Sequence, residues 1–214
     1  PTSFSPTILS AGRKPQIIVN NATDKGLPDP SLLQLYRDIE RRTFIWNDEV
    51  SDEILTLADY IMTYNFEDKD VEPEKRVPIK IFINTQGGDI DCAKHVIDMI
   101  ELSKTPVYTI GMARCYSAGT YLLMAGHKRF VFKNTKALLH DGYTDIGGSI
   151  GKFSDTASFI EKDESLTKKY VLSHTKITEE EYDKNYRRDW FMFSDGIIKY
   201  GIADSILTDI SEVF

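Results

Sequence analysis

One serine in this chain stands where a nucleophile could work. Ser117, in "ARCYSAG" (113–119), lies between the apolar run "PVYTIGMA" and a small-residue stretch opening a second apolar run. If that run is a helix, the free N–H groups and dipole at its N-terminus favour developing negative charge. The N–H of the next residue, Ala118, is then one donor of an oxyanion hole, and a neighbouring loop must supply the other. The same position suits a serine that merely caps the helix with its side-chain oxygen. Without partners, the cap is the simpler reading. The pattern is not GxSxG, so an α/β-hydrolase elbow is not indicated. Cys115, two residues earlier, is a rival nucleophile, but its apolar segment reads as a buried, reduced thiol.

A serine nucleophile needs a base near neutrality, usually histidine. The chain has four. His95 falls within a helical segment, His127 in the "GHKR" loop and His174 near a helix end. His140 closes the apolar run "KALLH", where a strand end projects into the crevice used by neighbouring strand-end turns, and it is the best candidate. Lys128 and Lys136 are also near in sequence but read as surface side chains. A third group, the carboxylate that orients the imidazole, cannot be chosen from 33 acidic residues by pattern alone. A second turn, "NTQGGD" (84–89), carries Gly87-Gly88, which allows close backbone approach or positive φ. Alone it is a tight strand-to-helix turn, and it lacks the GxxxxGK[ST] pattern of a phosphate loop.

The elements that must position these residues alternate. "PSLLQLYRDIE" reads as a short amphipathic helix running into a strand at Thr43–Trp46. "SDEILTLADYIMTYNFED" is a helix opened by a Ser/Asp cap, and an acidic connector leads to the strand "IKIFINT". Helix "GGDIDCAKHVIDMIELSK", strand "PVYTIGMA", helix "SAGTYLLMAG" and strands "KRFVFK" and "KALLH" follow. Helices "FSDTASFIEKDESLTKKYVLSHT" and "TEEEYDKNYRR" precede the closing "SDGIIKYGIADSIL". Such alternation predicts an α/β fold with parallel strands and right-handed crossovers. "QIIVNN" (16–21) is a short strand candidate in an otherwise Pro-, Ser- and Asn-punctuated start.

The composition excludes several classes. A net charge of -7 over 214 residues argues against nucleic-acid binding, and the basic pairs Arg41-Arg42, Lys128-Arg129 and Arg187-Arg188 are short. Two cysteines, Cys92 and Cys115, make neither a disulfide framework nor a zinc site. No run reaches the roughly 18 apolar residues of a membrane span. No secretory signal is visible at the start, so a cytoplasmic protein is expected.

Three segments in order carry a resemblance: "INTQGGDI", "GMARCYSAGTYLLMAGHKRFVFKNTKALLH" and "RRDWFMFSDGIIKYGIADSIL". Together they resemble the Clp protease proteolytic subunits, a caseinolytic serine peptidase family of the crotonase-like superfamily. The resemblance implies an α/β, crotonase-like fold of repeated β-α units with a protruding helical handle. It implies residues 1–30 as an N-terminal axial loop or gate and 31–207 as the catalytic domain. The handle region would span about 141–175, and 208–214 would be a C-terminal tail. It implies Ser117 as nucleophile, His140 as base, Asp189 as orienting acid, and the N–H groups of Gly88 and Ala118 as the oxyanion hole. The activity implied is hydrolysis of unfolded polypeptides inside a homo-oligomer of two stacked heptamers, a tetradecamer. An AAA+ unfoldase would feed it and bind the ATP, so this chain would need no cofactor or metal and no nucleic-acid or membrane partner.

The chain departs from the family in places. Ala118 stands where the family usually has Met, Gln86 where it has Pro, and "HDGYTDIGGSIG" follows the base in place of His-Gln-Pro. Two other readings use the same residues: a catalytically silent subunit of a mixed ring, and a crotonase-type acyl-CoA enzyme using the paired N–H groups.

Overall fold

The computed structural model describes residues 30–143 and 147–214. The gate assigned to residues 1–30 (bar Pro30) and the strand expected at 16–21 lie outside the described residues. The chain divides into two units, Pro1–Arg37 and Asp38–Phe214. Helix α1 (Pro30–Glu40) spans the boundary; proline at its first position fits the helical φ, and none of its side chains is buried.

The second unit is built on a sheet whose strands run in the order β1 (Thr43–Trp46), β2 (Ile79–Thr85), β3 (Val107–Tyr116), β4 (Lys128–Val131) and β7 (Ser205–Ile206), all parallel. Helices α2 (Leu55–Glu67), α3 (Ile90–Leu102) and α4 (Ala118–Met124) connect successive strands. They pack on one face of the sheet. In β2, Ile79, Ile81 and Ile83 point into that helical side, while Phe82 packs on the other face with Ile110 and Val213. Each such isoleucine, withdrawn from water, contributes about 1.5–3 kcal/mol.

Strand β3 is long because it serves two partners. Its first half pairs with β4, from Tyr108 opposite Lys128 to Gly111 opposite Val131. Its second half pairs with β5 (Lys136–Leu139), from Arg114 opposite Lys136 to Tyr116 opposite Leu138. The chain moves from one partner to the next through a turn held by buried Thr135, whose hydroxyl donates to the Gly111 carbonyl and accepts from the Phe132 N–H.

Several elements differ from the pattern. "WFMF" forms β6 (Trp190–Phe193), a strand the pattern does not announce, and it pairs antiparallel with β5, so the sheet is mixed. Ser51 does not cap α2; its hydroxyl bonds to Glu53, and a 3-10 turn over Asp52–Ile54 leads into the helix. The strand read as "KRFVFK" ends at Val131, because the turn to β5 begins at Phe132.

Helix α5 (Ile150–His174) starts three residues earlier than the periodicity places it, and only Thr167 and Val171 are buried. Its first half carries exposed Ile150, Phe153 and Phe159. Its second half is tied down: Lys94 binds both oxygens of Asp163 at 2.5 and 2.7 Å, and the Tyr170 hydroxyl donates to the Tyr121 carbonyl. Helix α6 (Glu179–Asn185) opens on a capping box between Thr178 and Glu181. Helix α7 (Ser194–Lys199) continues directly from β6.

Candidate active site

The Gly87-Gly88 turn is shaped by what it touches. Thr85 Oγ1 accepts the Gly87 N–H at 3.1 Å. Val50 then forms a parallel bridge to Gly88: the Val50 N–H donates to the Gly87 carbonyl and the Asp89 N–H donates to the Val50 carbonyl. In such a bridge Val50 uses both its own groups, so the N–H of Gly88 is left pointing away from Val50. Asp89 caps α3, accepting from the N–H groups of Asp91 and Cys92. Glycine is required at both positions. Gly87 has φ +104°, and a Cβ there would meet the Ser117 Cβ at 2.7 Å; Gly88 has φ +141°, and its Cβ would meet the Val50 carbonyl at 2.2 Å.

Ser117 sits at the other side of this contact, between β3 and α4. Its backbone takes φ 52° and ψ -121°, a conformation that costs a non-glycine residue about 1–3 kcal/mol. The N–H of Ser117 donates to the Leu138 carbonyl at 2.9 Å, extending the β3–β5 ladder, and its carbonyl receives the Thr120 N–H. The hydroxyl does not cap α4. The simple cap expected of a lone serine is therefore not its use. Although the sequence lacks GxSxG, the turn has the strained strand-to-helix form of a nucleophile elbow. Among the described residues, neither the Ala118 N–H nor the Gly88 N–H donates a hydrogen bond within the chain. The ideal Cβ position of Gly87 lies 3.4 Å from the Ala118 nitrogen, so the two turns are in direct contact.

His140 and Asp189 are brought together by the β5–β6 ladder. Leu139 opposes Trp190, so the next pair outward is His140 and Asp189. His140 Nδ1 lies 3.5 Å from Asp189 Oδ1, with the imidazole about one-third exposed and the carboxylate two-thirds exposed. Ser117, one step beyond the Tyr116–Leu138 pair, lies alongside Leu139 and adjacent to His140. Among the described residues no hydrogen bond joins the Ser117 hydroxyl to His140, and 3.5 Å is longer than a well-formed hydrogen bond. The register thus brings the Ser117 backbone to the end of the strand that leads into His140, and the His140 imidazole faces the Asp189 carboxylate.

Most of the rival groups are engaged elsewhere. His127 Nδ1 accepts the Val107 N–H; His174 bonds to the Tyr170 carbonyl and lies 3.0 Å from Glu101; His95 is exposed on α3. Cys115 is fully buried against the Ile83 carbonyl, and burial pushes its thiol up to about 12, leaving it protonated at neutral pH. Lys128 lies over the Tyr108 ring and Lys136 is exposed at the far end of β5 from His140. Among the described residues no three His, Cys, Asp or Glu side chains stand close enough to hold a metal ion.

The sequence of the chain matches the model of the Clp protease family over residues 35–209. The chain belongs to the Clp protease family. It is 28% identical over 171 residues to ATP-dependent Clp protease proteolytic subunit 2 of Treponema pallidum, covering 79% of this chain and 83% of that one. It is 31% identical over 138 residues to the protein of the same name from Treponema denticola, covering 64% of this chain and 69% of that one. The crotonase-like α/β architecture expected from the resemblance agrees with the mostly parallel sheet and its helices. Relatives named as proteolytic subunits point to a peptidase. No helix among the described residues is long and apolar enough to cross a membrane.

Two signals were outside the reach of residue patterns. The strain at Ser117 depends on backbone angles, and the strand carrying Asp189 to His140 has no alternating pattern of its own.

Proposed function

We propose that the chain is a serine endopeptidase in which Ser117 attacks the peptide carbonyl, His140 takes its proton, and Asp189 orients the imidazole. The carrying observation is a serine in strained φ at the end of β3, its hydroxyl without a hydrogen bond among the described residues, beside the Gly87-Gly88 turn, with a His140–Asp189 pair at the end of the adjacent strand β5. The N–H groups of Gly88 and Ala118 would hold the carbonyl oxygen as it becomes negative. Collapse of the tetrahedral intermediate breaks the C–N bond, and His140 returns the proton to the leaving amine. Water then attacks the acyl-serine by the same route in reverse. A peptide would lie extended beside the backbone following Gly88 and the segment following His140. The long spacing of His140 and Asp189 is compatible with this role, because catalytic hydrogen bonds often tighten only when substrate is bound.

The substrate class we infer is unfolded polypeptide, cleaved within a double-ring homo-oligomer. Helix α5, with the exposed Ile150, Phe153 and Phe159 of its first half, supports the handle role, since a second subunit would withdraw such apolar side chains from water. An ATP-driven unfoldase would supply the substrate; the acyl transfer itself runs on protein groups alone. The two free, buried thiols fit the cytoplasm as its compartment.

A fluorophosphonate probe tests the chemistry. Wild-type protein becomes labelled at Ser117 and loses activity on a short fluorogenic peptide, and Ser117→Ala neither labels nor cleaves. A wild-type particle that stays unlabelled, folded and assembled would leave the silent-subunit reading in its place.

A further inference from the structure

The loop between α6 and β6 is fastened by a residue outside the proposed triad. Tyr186 ends α6, its N–H donating to the Tyr182 carbonyl at 2.8 Å. Its ring stacks on that of Tyr182, 4.4 Å between centroids and 19° from parallel. Tyr182 is 3% exposed, and among the described residues its buried hydroxyl makes no well-formed hydrogen bond, so the stacked rings and the proximity of the two phenols seat this pair. Tyr121, four residues after Ser117 on α4, joins the same cluster. Its phenol is buried, and burial, followed by the proximity of the Tyr186 phenol, keeps it neutral by raising its pKa.

The backbone of Tyr186 has a second role. Its carbonyl accepts the N–H of Asp141, the residue after His140, at 2.9 Å. Continuing the β5–β6 register would place Arg188 opposite Asp141. The bond goes to Tyr186 instead, and Arg187 and Arg188 loop out between the bond and Asp189. The segment bearing the acid is thus anchored just past the end of the base's strand, with a two-residue turn, closed by the Arg188 N–H on the Asn185 carbonyl, between anchor and carboxylate. The position of that anchor sets how far Asp189 must travel to close on His140.

We propose that Tyr186 is a positioning residue for the His140–Asp189 pair, its stacked ring fixing the carbonyl that clamps Asp141. The inference rests on the triad reading given above. Ring and clamp act in series. Loss of the ring frees the carbonyl, loss of the Asp141 N–H unfastens it directly, and either change lets base and acid drift apart. A displacement of about 1 Å in such a group lowers turnover by about 10²-fold without altering how substrate binds.

The test uses the full-length, assembled protein and a short fluorogenic peptide, with folding followed by circular dichroism and thermal unfolding. Tyr186→Leu lowers kcat by about 10²-fold with KM unchanged. Asp141→Pro, which removes the clamping N–H along with the carboxylate and also restricts φ at 141 and the backbone of His140, does the same, whereas Asp141→Ala, which keeps the N–H, leaves kcat near wild type. Tyr186→Phe keeps the stacked ring and recovers most of the lost kcat. The proposal is overturned if folded Tyr186→Leu or Asp141→Pro turns over like wild type, if the loss lies in KM, or if it merely tracks the folded fraction. If Tyr186→Leu does not fold, the Asp141→Pro result decides. Wild-type protein that a fluorophosphonate fails to label at Ser117 removes the triad and this inference together; a labelled wild type with unimpaired variants removes only the inference.

Discussion

His140 and Asp189 face each other one step past the last rung of the β5–β6 ladder, with Nδ1 3.5 Å from Oδ1. An antiparallel pairing thus delivers an imidazole and a carboxylate to one place from positions far apart in the chain. Asp189→Asn should keep the fold, because the carboxylate is two-thirds exposed. It should lower kcat by between about 10²- and 10⁴-fold, since an amide holds the wrong tautomer. Added to Ser117→Ala, it should cost nothing more, as groups that act as a unit are not additive. Steady-state kinetics of the two single variants and the double variant measure both statements.

The Gly88 N–H is available only because Val50 engages the residues on either side of it. A Cβ at position 88 would strike the Val50 backbone rather than a movable side chain, and φ +141° disfavours any substituent. Gly88→Ala should therefore shift the loop and turn the N–H away from its site. A fall in kcat of about 10²- to 10³-fold, the size expected for one lost oxyanion donor, is the expected outcome. An alanine variant with wild-type kcat would place the second donor elsewhere.

Asp68 is a buried acid held by the Arg42 guanidinium and the Thr105 hydroxyl. Burial raises its pKa, but hydrogen bonds from Arg42 and Thr105 outweigh that effect and hold it below the ordinary carboxylate value. A lowered folded-state pKa means the contribution is fully present above about pH 4, the unfolded value, and is lost as pH falls through the folded value. Asp68→Ala leaves the largely buried Arg42 guanidinium with the half-exposed Glu67 carboxylate 3.6 Å away and the Val77 carbonyl, so its cost should fall below the roughly 3–5 kcal/mol of a fully unpaired buried charge. Denaturant unfolding at pH 7 and at pH 3 should show a smaller difference between wild type and variant at the lower pH.

Both thiols are buried and held protonated, Cys115 by burial and Cys92 by burial and the neighbouring Asp52 carboxylate, which push them up to about 12 and about 11. A thiol-specific disulfide reagent at pH 8 should leave the native protein unmodified and fully active. After denaturation it should titrate two groups. Rapid inactivation of the native protein by such a reagent would revive Cys115 as a nucleophile.

Much of the fold is readable as local pattern. "IKIFINT" and "IDCAKHVIDMIEL" carry their strand and helix in the choice and spacing of apolar residues, and both form where the pattern places them. Ser117 and His140 could be singled out because each closes or opens such an element. Asp189 could not, except through resemblance to a family. "WFMF" has neighbouring aromatics without alternation, and it becomes a strand because β5 offers it an unpaired edge.

The order of strands and helices through β5, much of the apolar core and the placing of a serine at a strand-to-helix turn were determined by the sequence alone. These rest on contacts between near neighbours and on the withdrawal of apolar side chains from water. Folding in three dimensions decided the rest: the division of β3 between two partners, the strained backbone of Ser117 against Gly87, and the meeting of residues 140 and 189. Each of these depends on hydrogen bonds between segments distant in the chain, whose energies no local window of residues contains.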